Sequence, residues 1–169
     1  PGMNIFVPSD RNSAFGVGEI ISNLNAPAYL RLDLTDGVDL AGVGDEPYRA
    51  GGARIVREGS GVTICACGVM TKQALLAAEV LAQQGISTEV IDCYSIKPSP
   101  ESALLSSVKR TGCCVTAEEH SFIGGLGGAA AECLARTYPV PMRFVGIDDE
   151  FVNSGTPEAL REHYGLTKQ

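Results

Sequence analysis

Apolar residues in this chain fall into two alternating rhythms. Short runs with period two, or wholly apolar, occur at Asn4–Val7, Ala28–Leu34, Arg54–Arg57, Val62–Cys67, Thr88–Cys93, Cys113–Ala117 and Met142–Ile147, the spacing of half-buried or buried strands. Between them the period lengthens to that of helices. Ser9 and Asp10, after Pro8, supply an N-cap for a helix running toward Leu24, and Asn25-Ala26-Pro27 stops it. Thr71–Gln84 sets Leu75, Ala78, Leu81 and Ala82 on one stripe and closes on Gly85 at C′. Pro100–Lys109 and Gly125–Tyr138 are the next helices. Thr156, Pro157 and Glu158 then give an N-cap, an N1 proline and a first-turn carboxylate to a helix ending before Gly165.

Strict alternation of strand and helix predicts an α/β fold with a mostly parallel sheet covered on both faces. The runs Arg54–Arg57 and Val62–Cys67, joined by Glu58-Gly59-Ser60-Gly61, predict a hairpin that adds one antiparallel edge strand. Thr35–Gly52 is rich in Gly and Asp and has little periodicity, so it is read as a linker and a domain boundary.

Composition narrows the function classes. A chain of 169 residues, 44% hydrophobic and 20% charged, has enough material for one real core and is neither disordered nor collagen-like. A net charge of −7 with no Lys/Arg run argues against nucleic-acid binding. No apolar stretch reaches the roughly 18 residues of a spanning helix, and the first residues lack the pattern of a signal peptide. The expectation is therefore a cytoplasmic protein without membrane contact. Six cysteines include no Cys-x-x-Cys pair, and Cys65 and Cys67 share a strand face, so reduced thiols packed as small hydrophobes are expected.

The chemistry-bearing residues concentrate between Val115 and Gly128. Glu118, Glu119 and His120 are placed just past the end of a strand, where they would exchange protons or bind a cation, or else cap the next helix and bridge to a partner. The structural alternative is preferred, because consecutive turn residues point in different directions. Gly125-x-Gly127-x-x-Ala130, with Asp148 at the end of the next strand, outlines a dinucleotide fingerprint. Against it, Glu118–Ile123 separate the strand from the first glycine, and no later strands complete a nucleotide crevice. Arg31, a charge in an apolar run, is either half of an ion pair or an anion site. His163 is read as part of a solvated helix face.

Seven segments in register resemble the C-terminal region of transketolases, especially the short form divided between two polypeptides. They are Pro1-Gly2-Met3 with Pro8-Ser9-Asp10, Tyr29–Leu32, Ala53–Gly59, Val90–Asp92 leading to Ile96-Lys97-Pro98, Val115–Gly128, Gly146–Gly155 and Tyr164-Gly165-Leu166. The resemblance implies a three-layer α/β/α sandwich with a mostly parallel five-stranded sheet and one antiparallel strand. It implies that 1–35 is the tail of a pyrimidine-binding domain, 36–52 a linker and 53–169 the C-terminal domain. The implied activity is transfer of a two-carbon ketol unit between sugar phosphates, with thiamine pyrophosphate and a divalent cation. The Gly-Asp-Gly motif that binds that cofactor and metal is absent, since Gly44-Asp45-Glu46 departs from it. This chain alone is thus expected to bind neither and to be inactive, working in a homodimer with the remaining domains or a partner subunit. By the same resemblance Arg31 holds the sugar phosphate, and Glu118, Glu119 and His120 lie at an interface or at the active-site rim; no residue of the chain is assigned a catalytic role. Deoxyxylulose-phosphate synthase, the β subunit of 2-oxoacid dehydrogenases, an independent assembly domain and a nucleotide-binding module stand as alternatives. Asp149-x-Phe151-x-x-Ser154-Gly155 and the ending Tyr164-Gly165-Leu166 favour transketolase.

Overall fold

A computed structural model describes residues 2–33, 40 and 47–168. Most of the expected Thr35–Gly52 linker, and Leu34, fall outside the described residues. Two sheets organise the fold. The larger has the order β3 (Arg54–Arg57), β5 (Thr88–Asp92), β4 (Val62–Ala66), β7 (Cys114–Ser121), β8 (Met142–Ile147). All its neighbours run parallel except β3 against β5.

Alternation along the strands sends one set of side chains to each face. Cys65, Ile91, Cys93 and Cys114 face helices α3 (Glu101–Thr111) and α4 (Leu126–Thr137) and pack against Leu104, Val108, Leu126 and Leu134. Ile64, Ala66 and Val90 face α2 (Met70–Gln83), through Met70, Ala74 and Ala78. Each fully buried Leu or Val contributes about 1.5–3 kcal/mol, and the result is the three-layer sandwich expected. On α2 the buried stripe is Met70, Thr71, Ala74 and Ala78; Leu75 and Leu81 lie at its margin, and Ala82 is exposed. Gly85 takes φ +80° as the C′ residue, and Ile86 N–H returns to Leu81 O.

The expected hairpin does not form. β3 skips β4 and pairs with β5. All five residues of β5 are buried, so it requires a strand on either side, whereas half-buried β3 suits an edge. The connection crosses the start of β5 so closely that a β-carbon on Gly59 would overlap the Thr88 and Glu89 backbone.

The second sheet, β2 (Ala28–Leu30), β1 (Asn4–Phe6), β6 (Ser95–Lys97), joins the N-terminal strands to a strand from the middle of the chain. β1 and β2 are parallel, linked by α1 (Arg11–Asn23), and β6 is antiparallel to β1. Periodicity did not reveal the three-residue β6, and β2 ends at Leu30 rather than Leu34. Asp10 caps α1 by accepting from Ser13 N–H at 2.7 Å. The last helix, α5 (Pro157–His163), opens on Thr156 as expected. No helix among the described residues is long and apolar enough to cross a membrane.

A buried polar network fastens the small sheet to the large one. Arg54 donates through Nη2 to Asp92 Oδ2 at 2.7 Å and to Asp10 Oδ2 at 3.1 Å, and through Nη1 to the Tyr48 hydroxyl at 2.5 Å. Ser9 Oγ donates to Asp92 Oδ1 at 2.6 Å. Burial pushes the Asp92 carboxyl above its ordinary value, more than Arg54 and Ser9 pull it down. Burial also pushes on Asp10, but the bonds from Ser13 and Leu40 and the charge of Arg54 outweigh it and hold the carboxyl low.

Candidate anion site at the carboxyl edge of the sheets

β7 does not stop at Ala117. It continues to Ser121 past the end of β4, while its register with β8 shifts between Ala117 and Ser121. Glu118, Glu119 and His120 therefore lie in extended strand rather than in a turn, and alternate across it. Glu118 and His120 share a face, with His120 Nε2 2.8 Å from Glu118 Oε2. Glu119 points the other way.

Glu118 is fully buried, and its carboxylate fills the N-terminus of α4. Oε2 accepts from Leu126 N–H and Oε1 from Gly127 N–H, both at 2.7 Å. These are charge-assisted bonds to amides that a helix leaves unpaired, at the end where its dipole favours an anion. The glycines serve this approach. A β-carbon on Gly125 would overlap Glu118 Oε2, and one on Gly127 would sit 3.1 Å from Oε1. The dinucleotide reading is thereby corrected: an internal carboxylate occupies the position a pyrophosphate would take. The two patterns look alike because both bring negative charge against backbone amides.

On the opposite face, Glu119 Oε1 accepts from Arg31 Nη2 at 2.7 Å. Arg31 lies one residue beyond β2, and its backbone N–H is bonded to Phe6 O. An ion pair, one of the two readings of Arg31, exists, and the side chain is also 32% exposed to solvent. Its Nη1 lies 3.9 Å from where a Gly68 β-carbon would project, above the turn that follows β4. Arg161 of α5 reaches Glu119 Oε2 at 3.8 Å and Glu158 Oε1 at 3.5 Å. Beside them a cavity of about 240 Å³ is lined by Asp33, Glu119, Ile147, Leu160, Arg161 and Tyr164.

Arg31, Glu119 and Arg161 thus meet where strands of both sheets end, the edge at which open α/β folds place ligands. Arg161 escaped the sequence reading, because nothing near it in the chain marks a partner on β7. His163 is exposed, as expected, with its ring against Tyr164. The cysteines are free thiols, all buried except the half-buried Cys113, and burial pushes the Cys67 thiol well up.

Comparison with known proteins gives this geometry a family. The 6-deoxy-6-sulfo-D-fructose transketolase subunit SqwH of Clostridium sp. (strain MSTE9) is 45% identical, over 99% of this chain and 52% of its own length. One of the apulose-4-phosphate transketolase subunits of Phocaeicola vulgatus is 35% identical over the whole chain and 54% of its own length. The chain therefore spans about half the length of these curated relatives. A solved split-gene transketolase, an inactive beta4 tetramer, superposes with a TM-score of 0.93 at 42% identity, over 99% of this chain and 55% of that one. The family model of the transketolase C-terminal domain matches residues 51–169, which hold the whole five-stranded sheet, Glu118, Glu119 and Arg161, and by that match the chain belongs to the transketolase C-terminal domain family.

Proposed function

We propose that this chain is the C-terminal part of a transketolase that moves a two-carbon ketol unit between sugars carrying a terminal oxyanion. Its own task is to hold that oxyanion with Arg31 and to close the rim of the active site. The observation that carries the reading is the partly exposed Arg31 side chain, its guanidinium anchored by Glu119 at the carboxyl edge of the sheets. A guanidinium presents a planar fork that suits phosphate or sulfonate, and the relatives are named for both kinds of sugar.

Residues 1–35 are then the tail of a pyrimidine-binding domain, 36–52 a linker and 53–169 the C-terminal domain. The outer edge of β2 supports this division. It has no neighbouring strand among the described residues, and Tyr29 within it and Leu32 just beyond it are exposed. An open edge flanked by apolar groups suits further strands of the same domain. The partners are the rest of that enzyme, or its second polypeptide, in a homodimeric cytoplasmic assembly, with Glu118, Glu119 and His120 near the contact.

Thiamine pyrophosphate and a divalent cation come with this reading, but the described residues do not fit them. No cluster of three or more His, Cys, Asp and Glu among them is arranged to hold a metal, and Glu118 already fills the N-terminus of α4. The cofactor site is therefore assigned to the remainder of the enzyme. The chain alone is expected to give no detectable ketol transfer in a coupled assay, with activity appearing when the remaining domains or the second polypeptide are supplied. Full turnover by the chain alone would refute the assignment.

In the complete enzyme, Arg31→Ala is expected to raise KM for a phosphorylated or sulfonated sugar by roughly ten- to a hundredfold and to lower kcat less, as the loss of a charged hydrogen bond in binding requires. Steady-state kinetics on the variant checks this. An unchanged KM removes Arg31 from the substrate site.

A further inference from the structure

We propose that Glu119 is a positioning residue for substrate: it acts through Arg31, presetting the guanidinium for the sugar oxyanion. The inference rests on the anion-site reading of Arg31 and gives the neighbouring carboxylate a specific part in it.

Arg31 stands beyond the last residue of β2, on backbone that belongs to no strand. A long side chain so placed has many rotamers, and each is lost on binding an anion unless something holds it beforehand. Glu119 supplies the hold from β7, where it lies between the Ala117–Val145 and Ser121–Ile147 pairings with β8 that fix the strand on either side of it. The bond between them engages Nη2, one corner of a fork with five N–H donors. It fixes the plane of the group while the side chain keeps its 32% exposure to solvent.

The carboxylate is itself restrained. Glu119 is 16% exposed, and its second oxygen faces Arg161, which is 15% exposed and also paired with Glu158. Glu119 is thus held between cations from opposite ends of the sequence and cannot swing freely with Arg31. Among the described residues Glu119 pairs with Arg31 and Arg161, while Glu158 pairs with Arg161 and Asp33 lines the same cavity as Glu119.

Two effects of Glu119 oppose one another. Its charge offsets that of Arg31 and by itself weakens anion binding, whereas its geometry prepares Arg31 and strengthens it. Comparing Glu119→Ala with Glu119→Gln separates them, because the amide oxygen still accepts from Nη2 after the charge is gone. In the complete enzyme, Glu119→Ala is expected to raise KM for an oxyanion-bearing sugar about tenfold and to lower kcat less, with Glu119→Gln giving a smaller rise. On an Arg31→Ala background, Glu119→Ala should add nothing, since the group it positions is missing. A lowered or unchanged KM in Glu119→Ala overturns the proposal. So does a full further rise on the Arg31→Ala background, which would assign Glu119 a general structural role. An unchanged KM in Arg31→Ala alone overturns the anion-site reading itself, and this proposal with it.

Discussion

Arg54→Ala is expected to cost the fold about 3–5 kcal/mol, the range for breaking a buried ion pair by removing one partner. Arg54 is 9% exposed, and both carboxylates it serves, Asp10 and Asp92, are fully buried at their side chains. Removing the cation leaves those two anions, far apart in the sequence, buried without their shared cation. The loss is a large part of the about 5–15 kcal/mol that holds an ordinary domain together. For a chain of this size the melting temperature should fall by about 10–15 °C, read by calorimetry.

The pH dependence carries a sign. Asp92 is raised above its unfolded value in the native protein, so its folded form binds a proton more readily than the unfolded chain does. Without Arg54 that tendency grows. The deficit of the variant is therefore largest at neutral pH and narrows as pH falls through the raised pKa of Asp92. Asp10 works the other way in the native protein. Its lowered carboxyl contributes stability above its unfolded pKa, and this is lost as pH falls through the folded value. A further change, Arg54→Met with Asp92→Leu, should recover part of the loss, because it removes one of the two orphaned charges. A cost below about 1 kcal/mol for Arg54→Ala would mean that the network is solvated like a surface pair.

Glu118→Ala is the second large effect, at about 3 kcal/mol for the loss of two charge-assisted bonds to the first turn of α4. The variant leaves the Leu126 and Gly127 amides buried without an acceptor. It also strips His120 Nε2 of its partner. Gly125→Ala should damage the same feature from the other side, since the added β-carbon displaces the carboxylate. Chemical denaturation of both variants, with amide exchange at α4, checks this. Native protection of α4 in Glu118→Ala would show that the cap is dispensable. On the proposed reading of Arg31, loss of the cap would also reach the substrate site, because Glu118 and Glu119 are adjacent on β7.

Local signals in the sequence were legible where one element decides the outcome. The Asp10 and Thr156 caps, the closing Gly85, the exposed His163 and the strand–helix alternation depend on neighbours within a turn or two. The departures from expectation share another cause. Arg54–Arg57 and Val62–Cys67 resemble a hairpin because they are close in the chain, yet the burial of all of β5 drew β3 to its far side. β6 is three residues long, too short for a period, and exists because β1 offers it a partner. Glu118–His120 resemble a turn because glycines follow, but β8 pairs beyond Ala117 and keeps the strand extended to Ser121.

By itself the sequence determined the fold class, the caps and the family resemblance, since patterning and turn chemistry act over a few residues. The tertiary structure alone decided which charges meet. Arg31 and Glu119 are separated by 88 residues, and Arg54 and Asp92 by 38. Pairings at such distances are set by how strands order themselves to bury their faces, and that order is a property of the packed sheet rather than of any segment in it.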